Sequence, residues 1–252
     1  MLEIYLFGGV RVHRGNPPVE IRLTKGDKRL LAYLLLNRYR NLSRVKVYGI
    51  LWGDQREKSA RSCLKTALWR LRRQLENRRD GKHYILTTWP GEVGFNLKSD
   101  HWLDVAAFED RVSRATAKEA RDMATDDEMQ LEDGLKLYNG DLLEEFYEDW
   151  MLPDRERLNA LYFRGLEHMM RYKRHAKAFD EAATWGRLAL SHDPLREDIH
   201  RELMRLYTES GRRGMAIRQY RTCCEIMEEQ MSISPSQDTR TLYSEILSSD
   251  KS

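Results

Sequence analysis

The residue types and spacings best suited to chemistry with another molecule lie in one basic segment, Glu57 to Arg79. Apolar residues recur there at the i, i+3, i+4, i+7 and i+11 spacing of one helix face: Leu64, Ala67, Leu68, Leu71 and Leu75. At about 100° per residue, the opposite face carries hydroxyl, basic and indole groups: Ser62, Lys65, Thr66, Trp69, Arg70 and Arg73. A helix of this kind fits the major groove of DNA, where Arg pairs with guanine and Ser or Thr contact several base edges. The segment alone leaves a solvated surface helix open as the alternative.

We predict that the residues of this face that contact base edges are Ser62, Thr66, Arg70 and Arg73. Candidates for contacts to the DNA backbone, or for flanking positions, are Arg44, Lys46, Arg61, Lys65, Trp69, Arg72 and Lys98. Phosphate contacts position a protein on DNA without encoding sequence. Trp69 has two interpretations, because its indole ring could pack beside the sugars or shield the junction with a following hairpin. Arg61 and Arg72 flank the apolar stripe and also suit ion pairs within the protein.

The elements that must position this helix are predicted from the patterns before it. Alternating apolar residues predict three short antiparallel strands in the first 23 residues. Leucines between residues 30 and 35 predict a first helix, with Thr24 as its N-cap. A second short helix, capped by Ser43, is predicted to end near Trp52.

The pattern after the second helix completes a recognisable order. Asp54 and Glu57 are spaced like a capping box at the start of the basic helix. Beyond that helix, segments 84–88 and 93–97 predict a hairpin around Trp89-Pro90. Strands, helix, helix–turn–helix and hairpin in this order predict a winged helix–turn–helix, in which the basic helix is the recognition helix and the hairpin is the wing.

Charge divides the chain into two unlike halves. Residues 1–100 hold 21 Lys and Arg against 9 Asp and Glu, whereas residues 101–252 hold 22 against 31. A basic half suits a polyanion, and a second half of opposite charge suggests a different partner. Charge alone does not choose DNA, because basic domains also bind RNA or acidic lipid.

The second half is predicted to be wholly helical from about Trp102. Ala182 and Ala216 are 34 residues apart, which matches the period of a tetratricopeptide repeat. The fold class predicted is therefore α+β, a winged helix–turn–helix with small antiparallel sheets, followed by an all-α tetratricopeptide-like domain. We expect the DNA-binding domain to span residues 1–99 and the helical domain residues 100–252.

Composition argues against several other classes of protein. No apolar run approaches the roughly 18 residues of a membrane span, and the N-terminus alternates instead of resembling a signal peptide. We therefore expect a cytoplasmic protein that does not bind membranes. Three cysteines form neither a disulfide framework nor a spaced Cys/His quartet, so we expect no metal. Without an HExxH, GxSxG or GxGxxG motif, we expect no enzyme activity and no cofactor.

Ordered motifs along the chain resemble a known family. Leu71 lies among Arg70, Arg72 and Arg73 as in recognition helices of the OmpR response-regulator type. Four later segments resemble the bacterial transcriptional activator domain: Leu137 to Leu143, Pro153 to Leu158, Asp193 to Asp198 and Leu203 to Tyr207. Over about residues 1–247 the chain resembles the SARP family of antibiotic regulatory proteins.

This resemblance implies a transcriptional activator that binds promoter direct repeats as a side-by-side homodimer and contacts RNA polymerase. It also implies that Thr66 and Arg70 occupy base-reading positions of the OmpR type. Two alternatives stay open. One is a protein-interaction scaffold built on the helical repeats, and the other is a repressor with the same fold.

Overall fold

The computed structural model describes residues 1–76, 83–88 and 91–248, and the chain divides into two compact units. No helix among the described residues is long and apolar enough to cross a membrane. The first unit comprises Met1–Glu109 and Leu137–Asn159, and the second comprises Asp110–Lys136 and Ala160–Ser252.

The first unit contains two small sheets and a helix–turn–helix. In chain order its strands are β1 (Leu2–Tyr5), β2 (Arg11–Arg14), β3 (Val19–Glu20), β4 (Leu42–Ser43), β5 (Ile85–Thr88), β6 (Glu92–Phe95) and β7 (His101–Leu103). Its helices are α1 (Lys25–Leu36), α2 (Arg44–Leu51) and α3 (Glu57–Leu75), and α4 (Asp104–Ala115) begins directly after β7. The order confirms the predicted winged helix–turn–helix, in which β5 and β6 form the wing. Five predicted positions lie outside the described residues: Trp89 and Pro90 of the hairpin turn, and residues 77–79 at the end of the basic segment.

The first sheet contains one strand that the sequence did not predict. Its order is β3-β2-β1-β7. β1 runs antiparallel to β2, with Ile4 opposite Val12, and parallel to β7, with Ile4 opposite Leu103. Because three residues are too few to show strand alternation, the sequence did not predict β7. The second sheet, β4-β6-β5, holds the predicted hairpin and gains β4, where Leu42 lies opposite Val93.

The predicted caps of the first two helices are confirmed. The Thr24 hydroxyl accepts the backbone N–H of Asp27 at the start of α1, at 3.3 Å. The Ser43 hydroxyl accepts the backbone N–H of Lys46 at the start of α2, at 3.2 Å. Both hydroxyls satisfy a first-turn N–H that has no partner within its helix.

The predicted capping box of α3 is wrong. The N-cap is Arg56, and its side chain makes no capping hydrogen bond. Asp54 lies in the preceding turn. The Glu57 carboxylate instead accepts the hydroxyl of Tyr48 at 3.0 Å, so a contact to α2 replaces the local cap.

The core of this unit forms where α1 and α2 pack against α3. The stripe predicted for α3 is buried along its whole length: Leu64, Ala67, Leu68, Leu71 and Leu75. The leucines of α1 are buried as well: Leu30, Leu31, Leu34 and Leu35. Burial of these side chains fixes which face of α3 is left to solvent.

A buried carboxylate joins β1 to the start of α4. Asp104 accepts the backbone N–H groups of Leu6 at 2.8 Å and Phe7 at 3.0 Å, and that of Val105 at 2.7 Å. Burial raises the pKa of Asp104 to about 6, although these hydrogen bonds favour the charged form.

The described residues of the second unit form helices and no strand. These helices are the part of α4 from residue 110 onward, α5 (Thr125–Leu135), the part of α6 (Leu152–His175) from residue 160 onward, α7 (Phe179–His192), α8 (Glu197–Glu209), α9 (Arg213–Met231) and α10 (Gln237–Ser248).

Small residues bring successive helices of this unit close together. Ala182 in α7 and Ala216 in α9, the pair that indicated a repeat, are both fully buried. A Cβ atom at Gly186 in α7 would lie 2.7 Å from Cδ2 of Leu203 in α8. Close antiparallel packing of consecutive helices is typical of tetratricopeptide-like repeats.

Candidate nucleic-acid interface

The exposed side of α3 is one stripe that lies opposite the buried one. It repeats the spacing of the buried stripe with a shift of two residues, or about 200° around the helix. Its members, all exposed, are Ser62, Lys65, Thr66, Trp69 and Arg73, which we call the exposed stripe. After Glu57 the helix carries no carboxylate. The exposed stripe therefore offers hydroxyls, an indole ring and two cations, with no negative charge from α3 beside them.

The polar groups of the side chains in the exposed stripe are available to a ligand. Within the described part of the chain, neither Lys65 nor Arg73 forms an ion pair, and the hydroxyls of Ser62 and Thr66 make no hydrogen bond. The guanidinium carbon of Arg73 lies 5.3 Å from the ring centroid of Trp69. This distance is that of a cation–π contact, which holds both side chains on the same face.

An open groove of about 800 Å³ lies beside the exposed stripe, between the start of α2, α3 and the wing. Arg44, Arg61, Lys65 and Arg72 line it together with one carboxylate, Glu92. The excess of cations and the open form of this groove suit a sugar–phosphate backbone.

Arg70, one of the four residues predicted to contact bases, is paired with a carboxylate of the protein itself. Its Nε and Nη2 atoms each lie 2.9 Å from a carboxylate oxygen of Asp27 in α1. The Asp27 side chain is fully buried, and that of Arg70 is 36% exposed. Asp27 also accepts the hydroxyl of Thr24 at 2.7 Å. The pair thus ties α3 to α1, and base contact by Arg70 stays a prediction that competes with this structural role.

The sequence holds a signal for this ion pair that its analysis missed. Asp27 lies on the same face of α1 as the buried leucines. Counted from Asp27, Leu30, Leu31, Leu34 and Leu35 are at i+3, i+4, i+7 and i+8. A carboxylate on a buried stripe requires a cation or hydrogen-bond donors, because an unpaired buried charge is costly.

Arg72 contacts the wing. Its Nη2 donates to the hydroxyl of Thr87 and lies 3.5 Å from the carbonyl oxygen of Ile85, both in β5. These contacts set the position of the hairpin relative to α3. The sequence suggested either a phosphate contact or a contact within the protein for Arg72, and these hydrogen bonds are contacts of the second kind.

Arg61 contacts α2 and the first turn of its own helix, but most of its side chain stays exposed. Its Nε donates to the hydroxyl of Tyr48 at 3.3 Å, and its Nη2 lies 2.8 Å from Glu57. The hydrogen bond to Tyr48 is the main cause that raises the pKa of Arg61. Because the side chain is 61% exposed, the guanidinium can also reach a phosphate at the edge of the groove.

The other predicted backbone contacts are exposed cations. Arg44 and Lys46 lie in the first turn of α2, where backbone N–H groups and the helix dipole favour an anion. The backbone N–H of Arg44 donates to Gly91 in the wing turn at 3.3 Å. Lys98 is exposed beyond β6. The sequence analysis missed Lys58, which is exposed one turn before Ser62 and extends the same face.

The described residues offer no evident metal site. Among them, no three or more His, Cys, Asp or Glu side chains are grouped so as to hold an ion. Cys63, Cys223 and Cys224 are free thiols.

Comparison with protein families gives two matches. A family model described as bacterial transcriptional activator domain matches residues 103–247, and one described as transcriptional regulatory protein, C terminal, matches residues 18–95. Together they confirm the combination of an OmpR-type domain with an activator domain that the sequence motifs predicted.

Individual proteins that are similar to this chain include a regulatory protein from Streptomyces and a protein from Mycobacterium. Regulatory protein AfsR of Streptomyces coelicolor is 26% identical over 229 residues, which are 89% of this chain but 22% of AfsR, so this chain spans less than a quarter of that relative. The solved structure of Mycobacterium tuberculosis EmbR in complex with a low-affinity phosphopeptide matches with a TM-score of 0.80 at 19% identity. The match covers 98% of this chain and 65% of the EmbR chain. At that identity the likeness concerns the fold, and it confirms the predicted fold class.

Proposed function

We propose, on the premise that this chain belongs to the bacterial transcriptional activator domain family, that it regulates transcription by sequence-specific binding of duplex DNA. The winged helix–turn–helix, predicted over residues 1–99, binds the DNA. The helical domain, predicted over residues 100–252, acts on a protein partner. A promoter-binding protein of this kind works in the cytoplasm of a bacterium, by binding and not by catalysis.

One observation carries the proposal, namely the exposed stripe of α3. Its residues present Arg and hydroxyl groups on a helix whose opposite side is buried. The major groove of B-DNA is wide enough for one helix, and these groups match the acceptors and donors of base edges. We assign base contacts to Ser62, Thr66 and Arg73, and assign Arg70 to holding α3 against α1.

Cations around the stripe support contacts to the DNA backbone. Arg44, Lys46 and Lys98 are exposed, and Arg61 and Lys65 line the groove beside the wing. If six to ten such contacts form, affinity should fall by about 10³ to 10⁵ between 50 and 200 mM salt.

The family also supports a mode of action. We propose that two copies bind direct repeats in a promoter and that the chain activates transcription through contact with RNA polymerase. A repressor with this fold would bind DNA equally well and differ only in the position of its site. Transcription in vitro from a promoter that contains the bound site, with and without the protein, distinguishes the two.

Binding can be tested on a duplex selected by the wild-type protein from a randomised library. Fluorescence anisotropy compares this duplex with a scrambled one. Arg73→Ala should lose about 1–3 kcal/mol of discrimination at one base pair. Arg44→Ala should weaken both duplexes equally and reduce the salt slope by about 1. Arg164→Ala, which removes an exposed cation from the second unit, is the matched control and should change neither property.

A helical scaffold that docks its basic half on an acidic protein predicts a different result. Such a protein selects no sequence from the library, and excess random DNA abolishes its binding. Either finding would contradict the proposal.

A further inference from the structure

Trp69 stands out within the exposed stripe. Its side chain is 55% exposed, although Trp is among the residues that proteins bury most on average. Ser62, Lys65, Thr66 and Arg73 surround it at i−7, i−4, i−3 and i+4, so the indole ring lies at the centre of the stripe. The part of α3 that would enter a groove first is therefore its largest apolar side chain.

We propose that Trp69 determines part of the DNA sequence preference by packing its indole ring against the 5-methyl group of a thymine. This inference rests on the proposed function, since it requires α3 in the major groove. There the 5-methyl group is an apolar feature that thymine has and cytosine lacks.

The chemistry of the indole ring favours this contact over a hydrogen-bonded one. Trp has one donor and no acceptor, so the exposed ring offers mostly apolar surface. A phosphate or the polar edge of a G·C pair gains little from such a surface. A methyl group that is removed from water on the ring gains the free energy of apolar burial.

Arg73 prepares the ring for this role. Its guanidinium carbon is 5.3 Å from the Trp69 ring centroid, so the two side chains restrain each other before DNA arrives. Side chains that are already ordered lose less conformational entropy when the complex forms. The cation covers only part of the ring, since more than half of the side chain is still exposed.

The contact is tested by removing the methyl group from DNA. In the duplex selected by the wild-type protein, each thymine is replaced in turn by deoxyuridine, which pairs identically and lacks only the 5-methyl group. At one thymine per binding site, the wild-type affinity should fall about fourfold, the effect of one buried methyl group. Trp69→Ala should bind the duplex with thymine and the duplex with deoxyuridine at that position with equal affinity. A C·G pair at that position should bind the wild-type protein more tightly when the cytosine carries a 5-methyl group.

Tyr147→Ala is the matched control, because it removes another strongly exposed aromatic side chain from the same unit, 87% exposed, and should keep the dependence on the methyl group. Circular dichroism checks that each variant is folded. If the wild-type protein selects a sequence but shows no effect of deoxyuridine, or if Trp69→Ala keeps the effect, Trp69 has another role, such as packing beside a sugar. If the protein selects no sequence, the inference and the proposed function fail together.

Discussion

Removal of the Arg70 guanidinium while Asp27 stays in place should lower the free energy of unfolding by about 2–3 kcal/mol. Loss of one partner from a buried ion pair costs roughly 3–5 kcal/mol, because the other charge is left buried without compensation. Asp27 is fully buried, but the Arg70 side chain is 36% exposed, so water already screens part of the pair and we expect a smaller loss than for a fully buried pair. The change to make is Arg70→Met, which keeps an unbranched side chain.

The double variant Asp27→Asn, Arg70→Met should recover most of that loss, since no buried charge is left and Asn can still accept the hydroxyl of Thr24. Urea unfolding followed by circular dichroism measures both variants. Arg73→Met is the control: it removes the same charge from the exposed stripe, where the guanidinium contacts only the Trp69 ring among the described residues, and should lower the free energy of unfolding by no more than about 1 kcal/mol. A double variant as unstable as Arg70→Met would refute the assignment of Arg70 to a buried pair.

The same double variant separates the two roles of Arg70 on DNA. If Arg70 holds α3 in place, the recovered protein keeps its preference for the selected duplex. If Arg70 contacts a base, the recovered protein loses about 1–3 kcal/mol of discrimination at one base pair. The second result would restore the role that the sequence predicted.

Two further predictions concern stability. The pKa of Asp104 is about 6 in the folded protein against an ordinary value of 3.8, so the folded state binds the carboxyl proton more tightly than the unfolded state does. The free energy of unfolding should therefore fall by about 3 kcal/mol as the pH rises from about 4 to above 6. Asp104→Asn should remove this dependence in urea unfolding at the two pH values, and an identical slope in the variant would show that other groups cause it. Gly186→Ala should be less stable than Gly214→Ala by about 1–3 kcal/mol, because the new methyl group meets Leu203 at the first site and open space at the second. Equal melting temperatures of the two variants would contradict close packing of α7 on α8.

The winged helix–turn–helix was predictable because its signals are local. Thr24 and Ser43 cap their helices with their own side chains, and the apolar spacing of α3 alone identifies its buried face. β7 was not predictable, since its three residues become a strand only through pairing with β1 at the other end of the domain. The start of α3 was mispredicted because a hydrogen bond to Tyr48 outweighs a local cap for Glu57.

The amino-acid sequence by itself determined the class of this protein: the order of elements, the family and the stripe of α3 that faces solvent. These depend on periodicity and composition, which short segments carry without help from the rest of the chain. Only the tertiary structure decided which cations of α3 are available to a ligand. Arg70 and Arg73 belong to the same helix and have the same charge, but Arg70 meets a buried carboxylate on α1 while Arg73 meets none among the described residues. The partner of a charge is set by packing between helices, and the sequence of one helix does not contain it.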